Sequence, residues 1–230
     1  MFYGAGGNSP EFYLDLSNWN VSNVTNMVSM FEYAGDNSSN FYIGDLSNWS
    51  VSKVTNMRKM FSNAGSNAPK FSIGDLSSWD VSSVTNMSFM FSGAGAKATE
   101  WGIGDLSLWD TSKVTEMKYM FNSVGSKATK FESIGILNIP SGCDVDNMVG
   151  SGVSSFFVGN FKINGTLINY LYLSGGNLGM LYGAATNNGT RINLYYTNSE
   201  AETVVDELVA MYGPNGTHSQ GNIYKIESTS

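Results

Sequence analysis

Cysteine and histidine are almost missing from this sequence: Cys143 and His218 each stand alone among 230 residues. A single cysteine excludes an intrachain disulfide, and with it a small disulfide-stapled domain. Cys143 reads as a small buried or half-buried thiol rather than a nucleophile. His218 lies in a Gly, Asn and Thr loop near the C-terminus, so any Ser-His-Asp or Cys-His set would rest on it alone. No zinc-ligand spacing, P-loop or GxGxxG after a strand occurs, and no motif singles out a pair of carboxylates. The expectation is therefore no catalytic residue, no metal and no cofactor. Charge is scarce as well. Charged residues make up 13% of the chain with a net charge of −7, so no basic patch exists to displace counterions from nucleic acid or to dock on an anionic membrane. No apolar run approaches the roughly 20 residues that span a bilayer. The opening MFYGAGGNSP has neither a basic region nor an apolar core, so no signal peptide is expected in the chain as it stands.

What is present is repetition. The segments DLSNWNVSNVTNMVSMFEYA, DLSNWSVSKVTNMRKMFSNA, DLSSWDVSSVTNMSFMFSGA and DLSLWDTSKVTEMKYMFNSV place Trp19, Trp49, Trp79 and Trp109 at a spacing of 30 residues. The pairs Met27/Met30, Met57/Met60, Met87/Met90 and Met117/Met120 follow the same period, as do Phe31, Phe61, Phe91 and Phe121. A fixed period of this length marks a stacked repeat architecture. With 42% hydrophobic residues the chain is too apolar for disorder, and each unit must cover its neighbour to bury its own apolar face. Met1 and Phe2 fall where Met30 and Phe31 do, so the chain opens in mid-repeat. Either a preceding segment has been removed, or the open first turn abuts another copy or an adjoining module.

Within a unit, Leu76, Trp79, Val81 and Val84 spell L-x-x-W-x-V-x-x-V, the apolar frame of a leucine-rich-repeat strand. One short strand is expected there, with Trp and Val inward. Beyond it Val84, Met87, Met90 or Phe91, and Ala94 have the spacing of one helical face. A short helix, or only a turn or a 3₁₀ piece, is expected, capped by Ser82 or Thr85 and ended by Gly95. The Gly, Ser and Asn-rich remainder reads as a loop pinned by Phe41, Phe71, Trp101 or Phe131. Ile134-Gly135, Leu137 and Val145–Met148 hold a decayed fifth turn.

Past residue 150 the period is lost. Residues 1–150 are expected to form a solenoid and 151–230 a small α+β module. Strands are expected over Phe156–Phe161, Thr166–Leu173, Met180–Ala184, Arg191–Tyr196 and Gly221–Glu227. A helix is expected to open at the capping box Ser199-Glu200-Ala201-Glu202, bury Val204, Val205, Leu208, Met211 and Tyr212, and close at Gly213-Pro214.

The phrase W-x-V-S-x-V-T-N-M-x-x-M-F, repeated four times within residues 1–150, resembles the BspA-like surface-protein repeat, a relative of the leucine-rich repeat. That resemblance implies a right-handed solenoid exposed on a surface and engaged in adhesion to host proteins or other cells. It does not extend to the tail.

On a leucine-rich-repeat-like coil the outward positions would display Asn18, Asn20, Asn48, Ser50, Lys53, Asp80, Asp110 and Lys113. These are short polar groups suited to a surface protein or a glycan, although no aromatic among them would stack on a sugar ring. The alternative for this face is plain solvation. The column Asp15, Asp45, Asp75 and Asp105 would supply one carboxylate per coil, too few for Ca²⁺, and fits a turn-forming role better. The expected function is a non-catalytic, extracellular recognition or adhesion protein that binds a protein or glycan. The alternative is a structural subunit of a virion or filament that assembles through its open first turn and its tail.

Overall fold

The computed structural model describes residues 1–150, 152–153, 157–171, 179–184, 191–217 and 222–227. The chain winds as a parallel β-solenoid of about six turns. One bridge position per coil is linked in series, Asn26, Asn56, Asn86, Glu116, Asp144 and Ile168, every pairing parallel.

The stretch around each tryptophan is not a strand. It makes two tight turns, closed by Trp79 N–H to the Leu76 carbonyl at 3.1 Å and Val84 N–H to the Val81 carbonyl at 2.8 Å. The local cause is polar. The Asp75 Oδ1 accepts the Ser77 N–H at 2.9 Å, and the Asp80 Oδ1 accepts the Ser82 N–H at 3.1 Å. Aspartate and asparagine that capture the amide two residues on bend the chain where a strand would keep it straight. The leucine-rich-repeat strand expected here therefore does not form.

Of the helix, 3₁₀ piece or turn expected next, the chain forms turns. From Met87 the chain makes a run of tight turns in which alternate amides face opposite ways. The N–H groups of Met90, Ser92 and Ala94 bond three residues back, to the carbonyls of Met87, Phe89 and Phe91. Those of Met87, Phe89, Phe91 and Gly93 instead reach the next coil, at Glu116, Lys118, Met120 and Asn122. Phe89 has φ +60° and Gly93 φ +69°, the sign that the third residue of a type II turn requires. Two turns in series space apolar residues three and four apart, as a helix does, so periodicity could not separate them.

The short strands lie in the stretch expected to be loop. Strand β1 is Glu11–Tyr13 and β2 is Asn40–Tyr42, paired in parallel; β3, Glu100–Trp101, pairs likewise with β4, Lys130–Phe131. Between the two pairs stands Pro69. It lacks the N–H that Ser39 and Thr99 donate to the preceding coil, so the ladder is interrupted at that rung.

Inside the coils, phenylalanine stacks on phenylalanine. Phe2, Phe31, Phe61, Phe91 and Phe121 form one ladder with centroids 5.5–5.8 Å apart. Phe12, Phe41, Phe71, Trp101 and Phe131 form another. The recurring tryptophans are buried at Trp49, Trp79 and Trp109 and 42% exposed at Trp19, at the end of the stack. They do not lie indole on indole. Trp19, Trp49 and Trp79 tilt against the phenylalanine of the preceding coil, Trp79 on Phe61 at 6.5 Å, and Trp49, Trp79 and Trp109 donate Nε1–H to a carbonyl of that coil, Trp79 to Leu46 at 2.9 Å.

Beyond residue 150 the strands remain parallel. Strand β5, Ile136–Ile139, pairs with β6, Val158–Ile163, then β7, Arg191–Tyr196, then β8, Ile223–Lys225. One sheet thus crosses the boundary where the sequence loses its period. Helix α1, Ser199–Tyr212, connects β7 to β8 and buries Ala201, Val204, Val205, Leu208 and Tyr212. Its cap is Asn198, not Ser199: the Asn198 Oδ1 accepts the Ala201 N–H at 2.9 Å. Lys225 on β8 grips the helix through Glu202 at 2.8 Å and Asp206 at 2.7 Å. Ile168 makes a single bridge and 180–184 are turns, so the strands expected there are not formed among the described residues. Phe156, Tyr172, Leu173 and Gly221 lie outside them.

Candidate functional site

Alternation along β1 and β2 turns Phe12 and Phe41 inward and Tyr13 and Tyr42 outward. Tyr13 is 74% exposed and Tyr42 37%, and their rings stack at 4.7 Å with 18° between planes. They stand over a trough of about 610 Å³ that runs across the coils. Its floor is Phe41 and Phe71, and Lys70, Ser72, Thr99 and Glu100 lie on the far side. A smaller extension of about 380 Å³ shares Phe71, Ser72 and Glu100 and continues past Gly102 to Glu132.

The charge around the trough is mixed and exposed. Glu100 pairs with Lys130 at 3.1 Å, and Asn40 donates to Glu11 at 3.3 Å. The carboxylate of Asp15, and then partial burial, push the Tyr42 phenol above its ordinary pKa. Tyr42 therefore stays protonated at neutral pH and can donate a hydrogen bond.

The residues expected on the outward face occupy a different side, at the corners beside the tryptophans. Asn20 accepts from Ser22 N–H at 3.1 Å and Ser22 Oγ at 2.7 Å. Asp80 does the same with Ser82, and Asp110 accepts from Ser112 N–H at 3.0 Å. The serine hydroxyl, then the serine amide, hold Asp80 and Asp110 below the usual carboxylate range. Lys113 lies close enough to lower both a little further. Lys53 donates to Asn23 at 2.7 Å. Asn18, Asn48 and Ser50 are exposed at the same corners. Asn20, Asp80 and Asp110 thus build the turns they sit in. The Asp15, Asp45, Asp75 and Asp105 column does likewise, each accepting the amide two residues on.

Tyr13, Tyr42, Lys70 and Glu100 are the residues that sequence reasoning passed over. The signal was the doublet Phe-Tyr at 12–13 and 41–42, one ring to each face of a strand, in a stretch taken for loop. Burial, and then the Asp144 charge, push the Cys143 thiol up to about 12, so it stays protonated and inert. His218 lies outside the described residues. Among the described residues no three of His, Cys, Asp and Glu gather in a way that could hold a metal ion, and no helix is long and apolar enough to cross a membrane.

No curated protein and no solved structure matches the chain. Residues 1–95 and, overlapping them, 36–156 match the family described as Mycoplasma protein of unknown function, DUF285. The second match alone covers more than half of the chain, which therefore belongs to the DUF285 family.

Proposed function

We propose that this protein is a non-catalytic recognition scaffold, exposed at a surface, that binds a protein or glycan of a host or neighbouring cell. The observation that carries this reading is the trough: two exposed, stacked tyrosines held by a phenylalanine ladder beside mixed polar groups. Exposed aromatic rings on a rigid frame bind at little cost in conformational entropy, and partners of protein or sugar type use such surfaces. The family's association with BspA-like surface repeat proteins supports the same reading.

The test is binding of the labelled chain to cell surfaces and to arrays of glycans and matrix proteins. Saturable binding that Tyr13→Ala with Tyr42→Ala removes supports the trough. Loss of binding only with Asn48→Lys and Ser50→Lys would place the site on the corner face. A particle mass that grows with concentration, without binding to any surface, would overturn the recognition role in favour of a self-assembling structural subunit.

A further inference from the structure

We infer that the trough holds a neutral pyranose ring, seated against the free face of Tyr42 above Ser72; this rests on the recognition reading above. The outward column next to the buried phenylalanines runs Tyr13, Tyr42, Ser72, Gly102 and Glu132. Rings occupy its first two places, one coil apart. Tyr13 covers one face of Tyr42, and the other face looks along the solenoid axis to the next coil, where the column carries only a serine hydroxymethyl.

Adjacent coils lie about 4.8 Å apart, close to the separation of stacked rings, so the place above Ser72 accepts one more ring in register. Phe71 closes it from below. At the far end the Glu132 side chain folds back over Gly102, where an added Cβ would collide with its carboxylate. The slot therefore has an aromatic wall, an apolar floor, a hydroxyl and a carboxylate.

A pyranose matches this chemistry on each side. Its C–H face is apolar and weakly positive, complementary to the negative π-face of a tyrosine. Its edge carries hydroxyls that Ser72, Thr99, Glu100 and Glu132 can bond. The volume of about 610 Å³, open along the axis, admits further sugar units on either side. Acidic sugars and nucleotides fit poorly. Lys70 lines the trough and Lys130 pairs with Glu100, but the Asp15 and Asp45 charges bear on Tyr42, Glu132 also borders the slot, and the chain carries −7.

The experiment is titration calorimetry of the full chain with neutral tetrasaccharides of glucose, mannose and N-acetylglucosamine, alongside polygalacturonate and a lysine-rich peptide. At least one neutral tetrasaccharide should bind and polygalacturonate should not. Ser72→Tyr, which extends the ladder into the slot, should abolish that binding. Tyr42→Ala should weaken it by about tenfold. Tyr13→Ala, which touches only the covered face, should change it less than Tyr42→Ala does. Thermal unfolding of each variant checks the fold, and if Ser72→Tyr fails to fold, Tyr42→Ala decides alone. The inference is overturned if no neutral tetrasaccharide binds, if Ser72→Tyr binds as the parent does, or if the slot takes the lysine-rich peptide instead. Should the parent and Ser72→Tyr bind a cell surface equally, recognition stands and the sugar slot falls. Should the parent bind no surface but still bind the tetrasaccharide, the slot stands and the surface role falls.

Discussion

Asp80 and Trp79, side by side, hold their coil by different forces. Asp80 is an exposed carboxylate kept ionised by the Ser82 hydroxyl, and Asp15, Asp105 and Asp110 are lowered in the same way by their own serines. A carboxylate whose folded pKa is depressed contributes stability that is present above its unfolded value and lost as pH falls through the folded one. The melting temperature should therefore stay level from neutral pH down to about 5 and then decline below the ordinary carboxylate value of 3.8. Ser82→Ala should return the Asp80 titration, followed by carboxyl carbon NMR, towards that ordinary value; an unmoved titration would remove the hydroxyl as the cause. Trp79 works by burial and one bond. Trp79→Phe keeps most of the ring but removes the indole donor from the Leu46 carbonyl, which still accepts the Trp49 N–H at 3.0 Å, so the lost bond should cost about 0.5–1.5 kcal/mol in urea unfolding.

At the scale of elements, the phenylalanine ladder and helix α1 differ in what they can lose. Phe91 is fully buried between Phe61 and Phe121, so Phe91→Ala should cost about 3–5 kcal/mol. Phe2, only partly buried at the end of the stack, should cost measurably less when truncated in the same assay. In α1 the cap is a single Asn198 oxygen. Asn198→Ala should lower the unfolding free energy by about 1 kcal/mol, whereas Ser199→Ala should change it by a few tenths at most. Equal effects of the two substitutions would return the cap to Ser199. Helix α1 was legible in the sequence because its buried face recurs over three turns of its own chain. The coil turns were not. Val84, Met87, Phe91 and Ala94 have helical spacing, and only the amides of Phe89 and Gly93 reaching to the next coil reveal tight turns instead.

The whole molecule is a one-dimensional stack in which each coil touches only its neighbours. Substitutions at Phe61 and Phe91, in ring contact at 5.7 Å, should therefore couple in a double-mutant cycle. Those at Phe31 and Phe121, three coils apart, should add. Coupling of similar size for both pairs would contradict a stack held by nearest neighbours.

The period of 30 residues, the inward phenylalanine, methionine and tryptophan positions, and the piling of coils were settled by the sequence alone. When similar units stack in register, equivalent positions line up along the stack, and large apolar side chains are buried only where they face away from water. Where the chain bends, that the tail continues the parallel ladder through β5 to β8, and that Tyr42 keeps one face open were decided only by the tertiary structure. The bends beside the tryptophans have a local cause in Asp75 and Asp80; the others depend on hydrogen bonds or ring contacts to a residue about a coil away, and no local pattern records which way an amide or an aromatic face will turn.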